Sequence, residues 1–208
     1  MAQLFTLHPD NPQPRLLKQA AGLLRDGGIL AAPTDSSYAA VAQLDDKAAA
    51  SGLRALRGLD DRHHLTVLCR DLTEIAHFAK VDNRQYRMLK AATPGAYTFI
   101  LEATKEIPRR VSHPSRRTIG IRVPNHPVML ALLEAAGTPL LSTTLIPKDE
   151  TDALNDAEEI NDRLGHMLAG VLDSGACPRM PTTVIDLVED PPVVVRLGGG
   201  DPAAIGLG

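Results

Sequence analysis

Short apolar segments alternate irregularly with amphipathic helical patterns along the chain, and this order constrains the fold most. Residues 12–28 carry leucines and alanines at helical spacing and end in Gly27 and Gly28, which predicts a helix. The next segment, ILAAP at residues 29–33, is short and apolar, which predicts a buried strand. The alternation continues to a hairpin-like pair of strands over residues 182–200. We therefore predict an α/β fold in which helices flank a mixed sheet.

The composition is that of an ordinary globular protein. Hydrophobic residues make up 44% of the 208 residues and charged residues 23%, and no repeat or linker is visible, so one domain over residues 1–208 is expected. No apolar run approaches the roughly 18 residues of a membrane span. The N-terminus lacks the pattern of a signal peptide, and Cys69 and Cys177 form no paired motif. These features predict a cytoplasmic protein without a membrane partner.

Positive charge is concentrated in one segment, although the net charge of the chain is −3. Between Lys105 and Arg122 there are six positive residues and one negative residue, a local charge of +5. Residues 109–117, here called the arginine segment, contain Pro114 and two serines and follow Pro108, which together predict a loop. Because arginine binds phosphate through two parallel hydrogen bonds, this segment is a candidate RNA contact, with a solvated charged loop as the alternative. The candidate RNA-binding residues are Arg109, Arg110, Arg116 and Arg117.

Polar side chains also cluster where apolar strands end. Hydroxyl groups occur in APTDSSY, LLSTTL and PTTVID, and arginines end TIGIR and VVVR. Ligand crevices in α/β folds commonly lie at strand ends. Hydroxyls and arginines there suit an anionic ligand, such as a nucleotide phosphate or an amino acid carboxylate, although each cluster alone is also ordinary turn chemistry.

Other familiar motifs are absent from the sequence. There is no P-loop, and LGGGDP at residues 197–202 lacks the strand and helix of a dinucleotide site, so we predict a flexible turn there. His63 and His64 are adjacent, which is poor spacing for metal ligands. We predict no metal site and no tightly bound cofactor.

Taken in order, six segments resemble one family. GGILAAPTDSSYA, TPGAYTFIL, TIGIRVPNHPV, PLLSTT, PTTVID and VVVRLG are similar to the YrdC-like domain family, and most closely to its YciO branch, over about residues 12–200. The resemblance implies a twisted mixed sheet with a concave cationic surface that binds RNA or nucleotide. Well-known members make threonylcarbamoyl-adenylate from threonine, bicarbonate and ATP, for the modification of an adenosine in certain tRNAs.

The resemblance also implies ligands and residue roles. L-Threonine and a nucleotide would be small ligands, tRNA the most expected RNA partner, and ATP with Mg²⁺ the co-substrates of a synthase. Thr34 would contact the amino acid, and Arg122 its carboxylate. Ser142 and Thr182 would line the same pocket, and Arg196 would face the nucleotide phosphates.

Two motifs depart from the synthase pattern. The positions of Lys-x-Arg hold Arg57 and Leu59, and the positions of Ser-x-Asn hold Thr144 and Ile146. Arg57 and Thr144 remain candidates for nucleotide binding, and Arg57 is the candidate catalytic residue. The positive charge lost at Leu59 would have to come from elsewhere, for which the candidates are Arg54, Arg62 and the arginine segment.

Three functions are compatible with this sequence. The first is an enzyme of threonylcarbamoyl chemistry on tRNA, either a synthase or a relative that removes the group. Removal needs less activation of a nucleotide, which suits the altered Lys-x-Arg motif. The second is a non-catalytic protein that binds double-stranded RNA or tRNA in translation or ribosome assembly. The third is a nucleotide enzyme unrelated to RNA.

Overall fold

Helices begin and end where local sequence signals place them. The computed structural model describes residues 1–60, 65–108, 111, 115 and 117–207. Pro14 occupies the first turn of α1, and Asp46 caps α2 by accepting a hydrogen bond from the Ala49 amide at 2.9 Å. Asp82 and Gln85 form a reciprocal capping box at the start of α4. The helices are α1 (Pro14–Arg25), α2 (Lys47–Arg57), α3 (Leu72–Phe78), α4 (Asn83–Ala92), α5 (Pro127–Ala136) and α6 (Ala157–Leu164), with a 3₁₀ turn at Pro202–Ile205.

The strands of the described chain form one mixed sheet. In chain order they are β1 (Gln3–Thr6), β2 (Leu30–Ala32), β3 (Ala39–Gln43), β4 (Thr66–Leu68), β5 (Tyr97–Glu102), β6 (Thr118–Arg122), β7 (Leu140–Thr144), β8 (Gly170–Asp173), β9 (Thr183–Asp186) and β10 (Val193–Arg196). Their order across the sheet is β1-β8-β2-β3-β7-β4-β6-β5-β9-β10. Strands β1, β2, β4 and β5 each have a parallel neighbour, whereas β3 and β7 pair only antiparallel. The predicted mixed sheet with flanking helices is confirmed.

The two faces of the sheet are covered differently. On one face, apolar residues from every central strand pack with α2, α3, α4 and α6. On the other face, α1 and α5 cover the half of the sheet that runs from β1 to β3 and the start of β7. The remainder of that face, over β7, β4, β6, β5 and β9, is here called the open half. Its outward positions line a cavity instead of packing against a helix of the described chain.

Two details differ from the sequence-based expectation. Strand β1 was not predicted, because Phe5 is the one buried side chain among its four residues. The LGGGDP segment is packed and not merely a flexible turn. The Gly199 amide donates to the Pro181 carbonyl at 2.8 Å, and a Cβ atom at Gly198 would lie 2.1 Å from the same oxygen. A side chain at Gly198 is therefore excluded by the neighbouring backbone.

Candidate functional site: a cavity lined by arginines and hydroxyl groups

The open half of the sheet holds a cavity of about 410 Å³. All seven residues assigned to ligand binding from the sequence motifs lie in its wall, although they come from distant parts of the chain. They are Thr34, Arg57, Arg122, Ser142, Thr144, Thr182 and Arg196. The structure therefore brings the predicted residues to one place, which is the arrangement that a single small ligand requires.

Strand register forms the floor of this cavity. Thr66 of β4 pairs with Ser142 of β7 on one side and with Gly120 of β6 on the other, and Gly120 pairs with Ile100 of β5. Because alternate residues of a strand face opposite sides, these positions all point away from the core that contains Ile119 and Ile121. Because Gly120 has no side chain, nothing projects from this position of the floor into the cavity.

Thr34 organises a tight turn at the end of β2. Its hydroxyl donates to the Ser37 carbonyl at 2.7 Å and accepts from the amides of Ser36 and Ser37 at 3.1 and 3.2 Å. Its oxygen also lies 3.0 Å from the Ser36 hydroxyl. The hydrogen-bonding capacity of Thr34 is thus used within the turn. Its contact with an amino acid ligand remains a prediction, and in this structure its hydroxyl shapes the loop that carries Asp35 and Ser36.

Arg122 is buried at the end of β6, with 6% of its surface exposed. One terminal nitrogen, Nη2, forms an ion pair with Asp35, and the other, Nη1, donates to the Ser36 hydroxyl at 2.9 Å. Burial lowers the pKa of the guanidinium, and the charge of Asp35 opposes that shift. Arginine keeps its proton in proteins, so Arg122 and Asp35 form a compensated buried pair at this end of the cavity.

Arg57 and Arg196 also lie in the cavity wall, and they differ from Arg122 in charge balance. Arg57 donates from Nη1 to the Thr144 carbonyl at 3.3 Å, and Arg196 donates from Nε and Nη2 to the Thr182 carbonyl at 3.2 and 2.9 Å. Burial and the positive charge of Arg196 lower the pKa of Arg57. Neither arginine has an acidic partner within the described residues. The two arginines therefore give the described part of the cavity wall an excess of positive charge, which favours an anion.

Several cavity residues were missed by sequence reasoning. Thr98 lies 2.9 Å from the Thr182 hydroxyl, and the carbonyl of Thr66 accepts from Ser142 at 3.1 Å. Ser36 is the partner of Arg122. The available signal was a hydroxyl group at an alternate position in an otherwise apolar strand, but the sequence does not show which face of that strand is open.

The altered motif positions, and the arginines that could replace the lost charge, differ in whether they reach the cavity. Ile146 lies in the cavity wall, whereas Leu59 and Arg54 are not among the wall residues. Arg54 is buried, with 7% of its surface exposed, and whether it replaces the missing charge stays a prediction. Arg62 lies outside the described residues.

The arginine segment is described in part. Arg109, Arg110 and Arg116 lie outside the described residues. Arg117 is exposed and precedes β6, where its carbonyl accepts from the Ala103 amide at 2.8 Å. Arg122 ends the same strand, so the two backbone positions are separated by about 16 Å. Arg117 is not among the residues of the cavity wall, and its contact with RNA stays a prediction.

In the described ranges no group of three or more His, Cys, Asp or Glu side chains could hold a metal ion. No helix of those ranges is both long and apolar enough to span a bilayer.

The chain is an α/β domain with a mixed sheet, one half of which is open and lined by arginines and hydroxyl groups. Residues 22–198 match the model of the Sua5/YciO/YrdC family, described as telomere recombination, and the chain belongs to this family. It is 48% identical over 201 residues to the uncharacterized protein YciO of Escherichia coli K12, with 97% of this chain and 98% of that protein covered. It is 32% identical to the threonylcarbamoyl-AMP synthase of Halorhodospira halophila, with 72% and 78% covered.

Solved structures show the same relationship. The crystal structure of E. coli YciO matches with a TM-score of 0.95 and 47% identity, covering 99% of this chain and all of that one. The structure of P. abyssi Sua5 complexed with L-threonine matches with a TM-score of 0.88 and covers 98% of this chain and 61% of that one. At 24% identity, the second match establishes a common fold.

Proposed function

We propose that the cavity binds a threonylcarbamoyl group together with the nucleotide that carries it, and that the protein acts in threonylcarbamoyladenosine chemistry on tRNA. The observation that carries this proposal is the mixed lining of one cavity. Its wall combines hydroxyl groups and the compensated pair of Arg122 and Asp35 with Arg57 and Arg196, which have no acidic partner among the described residues. A ligand with a polar amino acid portion and a phosphate fits that lining.

The relatives support the same ligand class. A threonylcarbamoyl-AMP synthase is among the relatives of the chain at 32% identity, and a protein of the same fold, P. abyssi Sua5, has been crystallised with L-threonine. Ser142 and Thr182 would hold the amino acid portion, with Arg122 donating to its carboxylate. Arg57, Thr144 and Arg196 would hold the nucleotide.

Removal of the group from tRNA is the direction that the altered motifs favour. Forming an adenylate from ATP and Mg²⁺ requires stabilisation of a leaving pyrophosphate, and the positions of two synthase residues are occupied by Leu59 and Ile146. Hydrolysis instead adds water to the carbamoyl carbon and breaks its bond to the adenine nitrogen, which takes a proton. Released N-carboxythreonine then loses CO₂ to give threonine, and a second water converts the CO₂ to bicarbonate. This direction needs no activated phosphate.

Mass spectrometry tests both directions in parallel. One reaction contains the protein, ATP, Mg²⁺, threonine and bicarbonate, and is analysed for threonylcarbamoyl-adenylate. The other contains the protein and tRNA that bears the modification, and is analysed for loss of the group. We expect activity in the second reaction that falls in Arg57→Ala but not in Arg87→Ala, an exposed arginine on α4. No turnover in either reaction by folded protein would refute the enzymatic proposal.

Non-catalytic RNA binding is the second candidate, favoured by the excess positive charge of the cavity and by the exposed Arg117. It predicts that log K falls linearly with log salt concentration, with a slope of about −0.9 for each phosphate contact on duplex and about −0.7 on single strands. Replacing the four arginines of the arginine segment with alanine should flatten that slope. Binding that does not depend on salt would exclude this candidate.

A further inference from the structure

The two outer strands of the sheet differ in how they are protected against pairing. Strand β10 follows Pro191 and Pro192, carries the charge of Arg196, and has an irregular register between Val194 and Arg196. Prolines, charges and bulges of this kind keep an edge strand from pairing with another chain. Strand β1 has none of them, because residues 2–7 contain no proline and no charge and the register with β8 is continuous. The β1 edge is therefore open to a further strand.

The backbone groups of β1 alternate between the two sides of the strand. The Gln3 amide donates to the carbonyl of the residue before β8 at 3.1 Å, and the Leu7 amide donates to the last residue of β8 at 2.7 Å. Because the groups of successive residues point to opposite sides, the N–H and C=O groups of Leu4 and Thr6 point away from β8. No other strand of the described chain lies on that side.

Side chains close the free side of β1 at both of its ends. The Ala2 amide donates to Oδ1 of Asn161, which belongs to α6, at 3.1 Å. The His8 amide donates to Oε1 of Gln13, just before α1, also at 3.1 Å. Within the described chain, the backbone groups left open on this side are those of the two residues that point away from β8.

These two residues are placed symmetrically, with Leu4 and Thr6 on either side of Phe5. In an antiparallel pair of β1 strands related by a two-fold axis at Phe5, Leu4 of each copy lies opposite Thr6 of the other. Residues paired in this way exchange both backbone hydrogen bonds, so the two pairs form about four bonds. The strand brings no like charges together in this arrangement, and Leu4, which is 41% exposed, gains a cross-strand neighbour. The open groups of β1 therefore fit a second copy of the same strand.

We propose that β1 is a dimerisation edge, at which two copies of the chain pair antiparallel with Leu4 opposite Thr6. The two-fold axis is perpendicular to the joined sheet, so both open halves lie on one face of it. They lie far from β1 in the strand order, and neither cavity is covered by the other copy. Because few residues pair, the dimer is weak and its population depends on concentration. This inference goes beyond the proposed function and does not depend on it.

Sedimentation of the intact protein over a range of concentrations tests the proposal, and two double variants test the register. Leu4→Lys with Thr6→Lys places lysine opposite lysine, and we expect the dissociation constant of the dimer to rise at least about tenfold. Leu4→Lys with Thr6→Glu places lysine opposite glutamate, and the dissociation constant should stay within about threefold of that of the unmodified protein, or fall. Val193→Lys, at an exposed valine of β10, is the control and should change nothing.

Three results of sedimentation would overturn the proposal. Protein that stays monomeric at about 1 mM does not pair with itself, and its β1 edge would be left for a strand of another protein. A dimer that neither double variant changes is held by another surface. A dimer that both double variants weaken equally does not have Leu4 opposite Thr6.

Hydrogen exchange measures the same pairing without a substitution. The Leu4 and Thr6 amides should exchange at least about tenfold more slowly at concentrations where the dimer forms than in dilute protein. The Phe5 amide, which points towards β8, is the internal control and should be protected at both concentrations. Exchange at Leu4 and Thr6 that does not change with concentration while the protein dimerises would contradict the proposal.

Discussion

The same face of the sheet is packed at one end and open at the other. In the packed half, alternate residues such as Ala32, Val41 and Leu140 lie under α1 and α5. In the open half, the corresponding positions hold Thr66 and Gly120. Both halves belong to one sheet, and they differ in the side chains that occupy the outward positions of the strands. Helices α1 and α5 cover the half with apolar outward side chains, because burial of apolar surface stabilises the protein. A cavity remains over the half with polar outward side chains, because burial of polar groups without hydrogen bonds costs free energy.

Breaking the buried ion pair in the open half should have the largest effect. Arg122→Ala leaves Asp35, whose side chain is 15% exposed, without its partner. We expect a loss of about 3–5 kcal/mol in the free energy of unfolding, because one charge stays buried and uncompensated. Urea denaturation measures it. The double variant Arg122→Met and Asp35→Asn, which removes both charges, should recover most of the loss, and a failure to recover would contradict this account of the pair.

A matched pair of substitutions in β7 compares the two halves directly. Leu140 and Ser142 lie two residues apart on the same face of one strand, the first under the helices and the second in the cavity. Leu140→Ala should cost about 2–5 kcal/mol of unfolding free energy. Ser142→Ala, which removes one hydrogen bond to the Thr66 carbonyl, should cost about 1 kcal/mol. Equal losses would mean that the open half is as tightly packed as the covered half.

The glycines after β10 support the wall of the open half. A Cβ atom at Gly198 would lie 2.1 Å from the Pro181 oxygen and 2.5 Å from the Thr182 carbonyl carbon, so Gly198→Ala must displace a wall residue. We expect a loss of about 1–3 kcal/mol and weaker binding of AMP. Gly22→Ala in α1 is the control, since its Cβ would meet its nearest neighbour at an ordinary 3.7 Å. Unchanged binding of AMP by Gly198→Ala would show that Thr182 tolerates the shift.

Local signals made the elements predictable. Asp71, Asp82 and either Asp45 or Asp46 precede helical patterns as candidate caps, and the structure shows Asp46, Asp71 and Asp82 in that role. The segment AYTFILEAT predicts a strand with Tyr97, Phe99 and Leu101 on one face, and all three belong to the core. These features depend on neighbours in sequence, which is why a single sequence shows them.

The sequence predicted those cavity residues that lie at strand ends and in the family motifs, but not the others. The partner of Arg122 is Asp35, which is 87 residues away in the chain, and no spacing rule reveals such a pair. Thr66 and Thr98 lie within strands that are otherwise apolar. Their exposure to the cavity is decided by where α1 and α5 stop covering the sheet, which is a property of the whole fold. The difference between the compensated and the uncompensated arginines likewise depends on tertiary contacts.

Arg57→Ala should have the smallest effect on stability, in contrast to Arg122→Ala in the same cavity. Arg57 loses one hydrogen bond to the Thr144 carbonyl, but its removal also relieves repulsion with Arg196. We expect the free energy of unfolding to change by less than about 0.5 kcal/mol, while the affinity for AMP falls about tenfold or more. Added salt screens the repulsion between the two arginines, so salt should stabilise the unmodified protein more than the variant. Arg87→Ala controls for the loss of one exposed charge. A loss of stability as large as that of Arg122→Ala would show that Arg57 is a structural residue and that its positive charge is compensated after all.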